Sequence, residues 1–155
     1  VLSPIGPFMM GPNDFQSFSQ SLIGSGEVKE KLIGSMTVPG MPFDWRPVVL
    51  GGNLTLETPM GVGFNAEVRV GNAQKGDVVG HGVGRVNQRK DDAIPLHPWS
   101  TGQVTPGSTY GVVKANTATT IYVVLKKVQG TLGGWEFTRT NAGLTFLAMP
   151  VNASY

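Results

Sequence analysis

The chain has no cysteine, which excludes a disulfide framework and thiolate chemistry. A zinc site would have only His81, His97 and carboxylates to draw on. Charge is also scarce: 14% of residues are Asp, Glu, Lys or Arg, against about 25% in an ordinary globular protein. The formal net charge of +2 comes without the clustered Lys/Arg stripe that a phosphate backbone requires, so nucleic acid is not an expected partner. Arg89 and Lys90 are followed at once by Asp91 and Asp92, which cancels them locally. No apolar run approaches the roughly 20 residues that cross a bilayer as a helix, and residues 1–12 lack the basic start and apolar core of a signal peptide. Neither membrane insertion nor a cofactor is expected, and the chain is read as soluble or as part of a soluble assembly.

Turn-forming residues are plentiful, with 22 glycines and 11 prolines among 155 residues. That texture suits β-structure, and the length suits one domain with a real core. Residues 1–43 mix Pro, Gly, Ser and Met with scattered aromatics, and no period persists. They read as an N-terminal arm. Phe8, Met9, Met10, Phe15 and Phe18 are too many for a solvated linker, so the arm is expected to pack along another surface, a neighbouring subunit being one candidate. A helical turn is expected around "GEVKEKLIG", with Val28, Leu32 and Ile33 on one side.

From Asp44 onwards short apolar runs alternate with Gly, Pro, Asn and Asp. Residues 44–155 are expected to form an all-β domain, a β-sandwich or jelly-roll-like fold, with strands near 47–50, 53–57, 63–71, 77–86, 108–115, 119–128, 134–140 and 143–150. In "TTIYVVLKKV", Ile121, Val123 and Leu125 oppose Tyr122, Val124 and Val128; in "GLTFLAMPV", Leu144 and Phe146 oppose Leu147 and Met149. Strands apolar on both faces need a cover on each, and a second subunit would supply it. The stretch 87–107 reads as one long loop and as the best candidate for a surface that meets something outside.

The segment "FNAEVRVGN" puts Phe64, Ala66, Val68 and Val70 on one strand face and Asn65, Glu67 and Arg69 on the other. Opposite charges on a sheet face occur in catalytic dyads, but far more often they lace strands or subunits together. Glu67 and Arg69 are therefore read as members of a structural ion-pair network, with Asp44 and Arg46 as further candidates. In "DVVGHGVGRV", Gly80, Gly82 and Gly84 leave a strip without side chains. A nucleotide-binding reading fails because neither the GxGxxG spacing nor the following helix is present. Close approach of a backbone or an aromatic ring, at an interface or beneath Trp45 or Trp135, accounts better for the strip. No nucleophile elbow accompanies either histidine, and Asp91 and Asp92, being adjacent, point to opposite faces of a strand, so no enzymatic activity is expected. Trp99, with His97 and Tyr110 nearby, is the candidate host or glycan contact. Its plainer alternative is an anchor for its own loop.

The order "DWRPVVLGG", "AEVRVGN", "VVGHGVGRV" and "TRTNAGLTFLAMPV" resembles small minor tail proteins of actinobacteriophages over about residues 44–151. Trp45, Arg46 and Pro47 match the family's opening segment, and Glu67 to Gly71 match its Glu-Val-Arg segment; residues 1–43 have no match. The resemblance implies a noncatalytic virion component of the phage tail. It also implies assembly as a ring or trimer among other tail proteins at the tail tip, with host contact as a further role, for which the Trp99 region suggests host cell envelope glycans.

Overall fold

The computed structural model describes residues 3–20, 30–57, 62–86, 92–99, 108–129 and 135–151. These form an all-β fold of nine strands: β1 (Ile5–Met10), β2 (Phe18–Gln20), β3 (Glu30–Val38), β4 (Trp45–Glu57), β5 (Val62–Val70), β6 (Asp77–Val86), β7 (Asp92–Pro98), β8 (Thr119–Gln129) and β9 (Trp135–Pro150). Every pairing is antiparallel, and the hydrogen-bonded order runs β1-β9-β4-β7-β6-β5-β8-β3, with β2 also on β9. The first sheet holds β1, β2, β9, β4 and the start of β7; the second holds the end of β7, β6, β5, β8 and β3.

Strand β7 joins the two sheets. Its residues Asp92–Leu96 pair with β4, and His97 and Pro98 pair with His81 and Gly80 of β6. The change of sheet depends on the glycine strip. A Cβ on Gly82 would lie 2.5 Å from the Pro95 carbonyl and 2.8 Å from Ile94 Cγ2, and one on Gly84 would lie 2.5 Å from Ile94 Cγ1. β7 thus folds across bare backbone as it passes from β4 to β6, the kind of corner by which one strand serves two packed sheets. Close approach by another backbone is found as the sequence suggests. The nearest atoms belong to β7, Val49 and Val68, and not to Trp45. On the opposite side, Phe15 bridges Gly34 of β3 and Gln16 N–H donates to Ile33 O at 2.9 Å, which nearly closes the structure.

The core lies between the sheets. Trp45, Phe64, Phe137, Phe146, Ile33, Leu54, Ile121 and Leu125 are all buried there. The alternation in β5 emerges as expected, with Phe64, Ala66 and Val68 inward.

Several expectations need correction. Residues 1–43 supply β1, β2 and β3 to the same sheets as the rest of the chain. Their aromatics pack internally: Phe8 stacks on Phe146 with centroids 5.3 Å apart, and Phe15 and Phe18 tilt against Phe137. Residues 30–34 of the expected helical turn are strand, because β8 offers Glu30–Val38 a complete partner; residues 26–29 of that turn lie outside the described residues. The segment 108–115 is a turn whose only ladder contact among the described residues is the Trp45–Val113 bridge, since Gly111 takes a φ of 69° and Asn116 one of 58°, and left-handed backbone interrupts a strand. Within the expected loop 87–107, residues 92–98 form β7; residues 87–91 and 100–107 lie outside the described residues. The paired strand predictions 47–50 with 53–57, and 134–140 with 143–150, each merge into one strand, β4 and β9. Both are continuous through register shifts at Val49/Gly51 and Asn53/Thr55.

Candidate functional site

The outer face of the second sheet carries one continuous cross-strand row. Leu32 of β3 pairs with Val124 of β8, Val124 with Glu67 of β5, Glu67 with His81 of β6, and His81 with His97 of β7. Side chains directly opposite on one face are within reach of each other, so the row runs from an apolar end through a charged centre to two imidazoles.

Arg69 organises the centre. Its Nε and Nη2 donate to Glu67 Oε1 at 3.0 and 2.6 Å. Nη1 donates to Glu30 Oε1 and to the carbonyls of Ala73 and Gln74 at 2.7 and 3.3 Å. The residue is only 4% exposed, and burial alone would lower the guanidinium pKa; hydrogen bonds to Glu67 and Glu30 outweigh this and raise it above the ordinary value. Glu67 Oε2 lies 3.8 Å from Lys126 Nζ. The carbonyls that Arg69 captures belong to the β5–β6 connection. There Asn72 Oδ1 accepts from the N–H groups of Gln74 and Lys75, both at 2.8 Å, forming an Asx-type turn. Glu30, Leu32, Ala73, Gln74 and Val124 line an open groove of about 460 Å³ beside this network. Val124, although on the outer face, is 1% exposed. The cover that the sequence assigns to a second subunit is here supplied by the chain itself.

The network thus contains Glu67 and Arg69 as read from the sequence, but its other members are Glu30 and Lys126. Asp44 pairs with Lys114 at 3.5 Å and accepts from Ala115 N–H at 2.8 Å. Arg46 meets no carboxylate among the described residues. It donates to the carbonyls of Tyr110 at 2.7 Å and Ser108 at 2.9 Å, which clamps the 108–116 turn to β4.

At the imidazole end, the His81 ring lies 5.6 Å from that of His97 and 4.8 Å from that of Trp99, edge-on in both cases. His97 is exposed and Trp99 half-buried, and Trp99 N–H donates to Val79 O at 3.2 Å. Burial first, then the proximity of His97, lower the His81 pKa below the ordinary histidine value, against an opposing influence from Glu67. Tyr110 is engaged elsewhere. Its hydroxyl is bonded to the Val78 backbone, so the phenol belongs to the scaffold. His97 and Trp99 are therefore brought together by His81 of the glycine-spaced strand.

No protein-family model and no curated protein matches this sequence. Solved structures of similar shape include the infectious bursal disease virus Gt strain, at 16% identity and a TM-score of 0.45, covering 97% of this chain and 38% of that chain. They also include a glycoside hydrolase family 43 arabinoxylan arabinofuranohydrolase from Bacillus subtilis in complex with cellotetraose, at 14% and 0.39, covering 97% and 28%. An aminopeptidase from the marine sediment archaeon Thaumarchaeota archaeon stands at 6% and 0.41, covering 95% and 33%. The chain spans well under half the length of each, and likenesses this distant do not reach to function.

Proposed function

We propose that the protein is a noncatalytic structural component of a virion, a minor tail or tail-tip protein of a phage, which assembles as a homotrimer beside other tail proteins. Support comes from the outer face of the first sheet. Met9 is 67% and Leu50 54% exposed. Met9 lies opposite Thr145 of β9, Leu50 sits at the β4 register shift beside the same residue, and Val48 pairs with Leu147. Met149 and Leu147 remain half-exposed on this face. A contiguous apolar surface of this kind marks an interaction site, and cyclic closure buries such a patch symmetrically. The noncatalytic part of the reading draws on Arg69, whose hydrogen-bonding capacity is spent on Glu67, Glu30 and the 73–74 carbonyls.

Sedimentation at about tens of micromolar, where weak specific contacts are populated, tests the assembly. A trimer that Leu50→Asp converts to a folded monomer is expected. A wild-type monomer at that concentration overturns the proposal.

A second reading, a receptor-binding module for host cell envelope glycans, is favoured by one observation: half-buried Trp99 and exposed His97 both stand against the His81 ring. Trp99→Ala should then abolish glycan binding with little change in melting temperature. Unaltered glycan binding in that variant leaves Trp99 as a loop anchor.

A further inference from the structure

We propose that His81 and His97 form a two-imidazole binding site for a divalent transition-metal ion of the Cu²⁺, Ni²⁺ or Zn²⁺ class. The two residues are direct register partners on β6 and β7, so their Cβ positions are fixed by the sheet. With metal–nitrogen bonds of about 2.0–2.1 Å, two imidazoles on one ion have ring centroids about 4.5 Å apart at a right angle, about 5.2 Å at the tetrahedral angle and about 6.4 Å when collinear. The observed spacing is 5.6 Å. It lies inside that range, so chelation requires rotation of the rings and no movement of the strands.

The tautomer suits the role. His97 Nδ1 lies 3.1 Å from Pro98 O; a carbonyl only accepts, so in the neutral ring Nδ1 carries the proton and Nε2 the lone pair, as in metal sites whose second ring nitrogen is held by a carbonyl. Glu67, next in the row, contributes negative potential, but Arg69 holds its Oε1 and Lys126 approaches its Oε2. It therefore acts on a cation through its field. No group of three His, Cys, Asp or Glu able to hold a metal occurs among the described residues. The chain thus supplies two ligands, and the remaining positions go to water or to a donor from another molecule. Imidazole ligation favours Cu²⁺, Ni²⁺ and Zn²⁺ over the hard cations Mg²⁺ and Ca²⁺.

The test uses the whole, untagged chain. Calorimetric titration with NiCl₂ and ZnCl₂ should give a single saturable site, and CuCl₂ should quench tryptophan emission because Trp99 adjoins His81. His97→Ala, at an exposed position, should keep the unfolding midpoint of the parent and weaken binding by at least about tenfold, the lower end of what even outer-shell losses cost a metal site. His81→Ala should do the same to binding. Trp99→Phe should retain the affinity and lose most of the quenching. Absence of saturable binding by all three ions, or affinity unchanged in both histidine variants, overturns the proposal. Equal binding of Ca²⁺ would overturn the assigned ligand class.

Discussion

The Tyr110 hydroxyl accepts the Val78 N–H at 2.9 Å and donates its own proton to the Val78 carbonyl at 2.8 Å. One side chain thereby satisfies both backbone groups of a residue at the β6 register shift between Val68 and Arg69, where the ladder to β5 is irregular. Each such bond contributes about 0.5–1.5 kcal/mol net. Tyr110→Phe is therefore expected to cost about 1–3 kcal/mol, read by urea unfolding, with the oligomeric state unchanged. A loss below the error of the measurement would show that water replaces the phenol at no cost.

The same group gives an alkaline signature. Burial, with lesser contributions from Asp77 and Glu67, raises the Tyr110 pKa above its ordinary value, against the Val78 hydrogen bond. The folded state then holds this proton more tightly than the unfolded chain, so its contribution is complete below about pH 10 and is lost as pH rises through the folded value. Comparing wild type with Tyr110→Phe between neutral and alkaline pH isolates it: the gap in stability should narrow as pH rises.

Arg69→Met should cost about 3–5 kcal/mol, the penalty for stranding the partners of a buried ion pair. Glu30→Gln should cost only about 0–1 kcal/mol, because the Glu30 side chain is 42% exposed. Chemical denaturation measures both. Amide exchange at Gly76, whose N–H donates to Asn72 O at 3.0 Å, should accelerate in the Arg69 variant as the turn loses its clamp. Equal costs for the two substitutions would mean that Arg69 is solvated.

On β6, Gly82→Ala should be damaging, by about 1–3 kcal/mol or more for overpacking, because the new methyl would meet the Pro95 carbonyl and Ile94. Gly51→Ala on β4 is the control, with nothing within 4 Å of its added Cβ. Thermal melts of the pair should diverge, and a tolerated Gly82→Ala would show that β7 can lift from β6.

In a proton NMR titration His81 should show a midpoint below about 6.5. Its lowered pKa means that the unfolded chain binds this proton more readily, so stability should fall as pH drops from about 6.5 through the folded value. His97→Ala removes the charge that depresses it alongside burial and should move the midpoint of His81 upward; no movement would separate the two rings electrostatically.

Periodicity revealed whatever depends on neighbours along one strand. Phe64, Ala66 and Val68 alternate against Glu67 and Arg69, and the structure keeps that division. It could not reveal partners from distant strands. Glu30 reaches Arg69 only because β3 and β5 flank β8, and nothing near residue 30 signals this. Asp44 and Arg46 adjoin a plausible motif, yet the 108–116 turn claims them. Residues 92–98 resemble a loop because Pro95 and Pro98 interrupt them. They form a strand that is short on the β6 side, where just His97 and Pro98 pair. That strand is what sets His81 and His97 side by side.

The position of β9 has a consequence for biosynthesis. This strand pairs with β1, β2 and β4 at once, yet it follows all of them in the chain, so β1 is synthesised well before its partner exists. Until then β4 and β1 present open hydrogen-bonding edges and the phenylalanines destined for Phe146 and Phe137 are unshielded, the condition in which nascent β-proteins cross-pair. The first sheet can therefore close only once β9 has been synthesised, and premature termination before Trp135 leaves a polypeptide with the edges of a sheet and no centre.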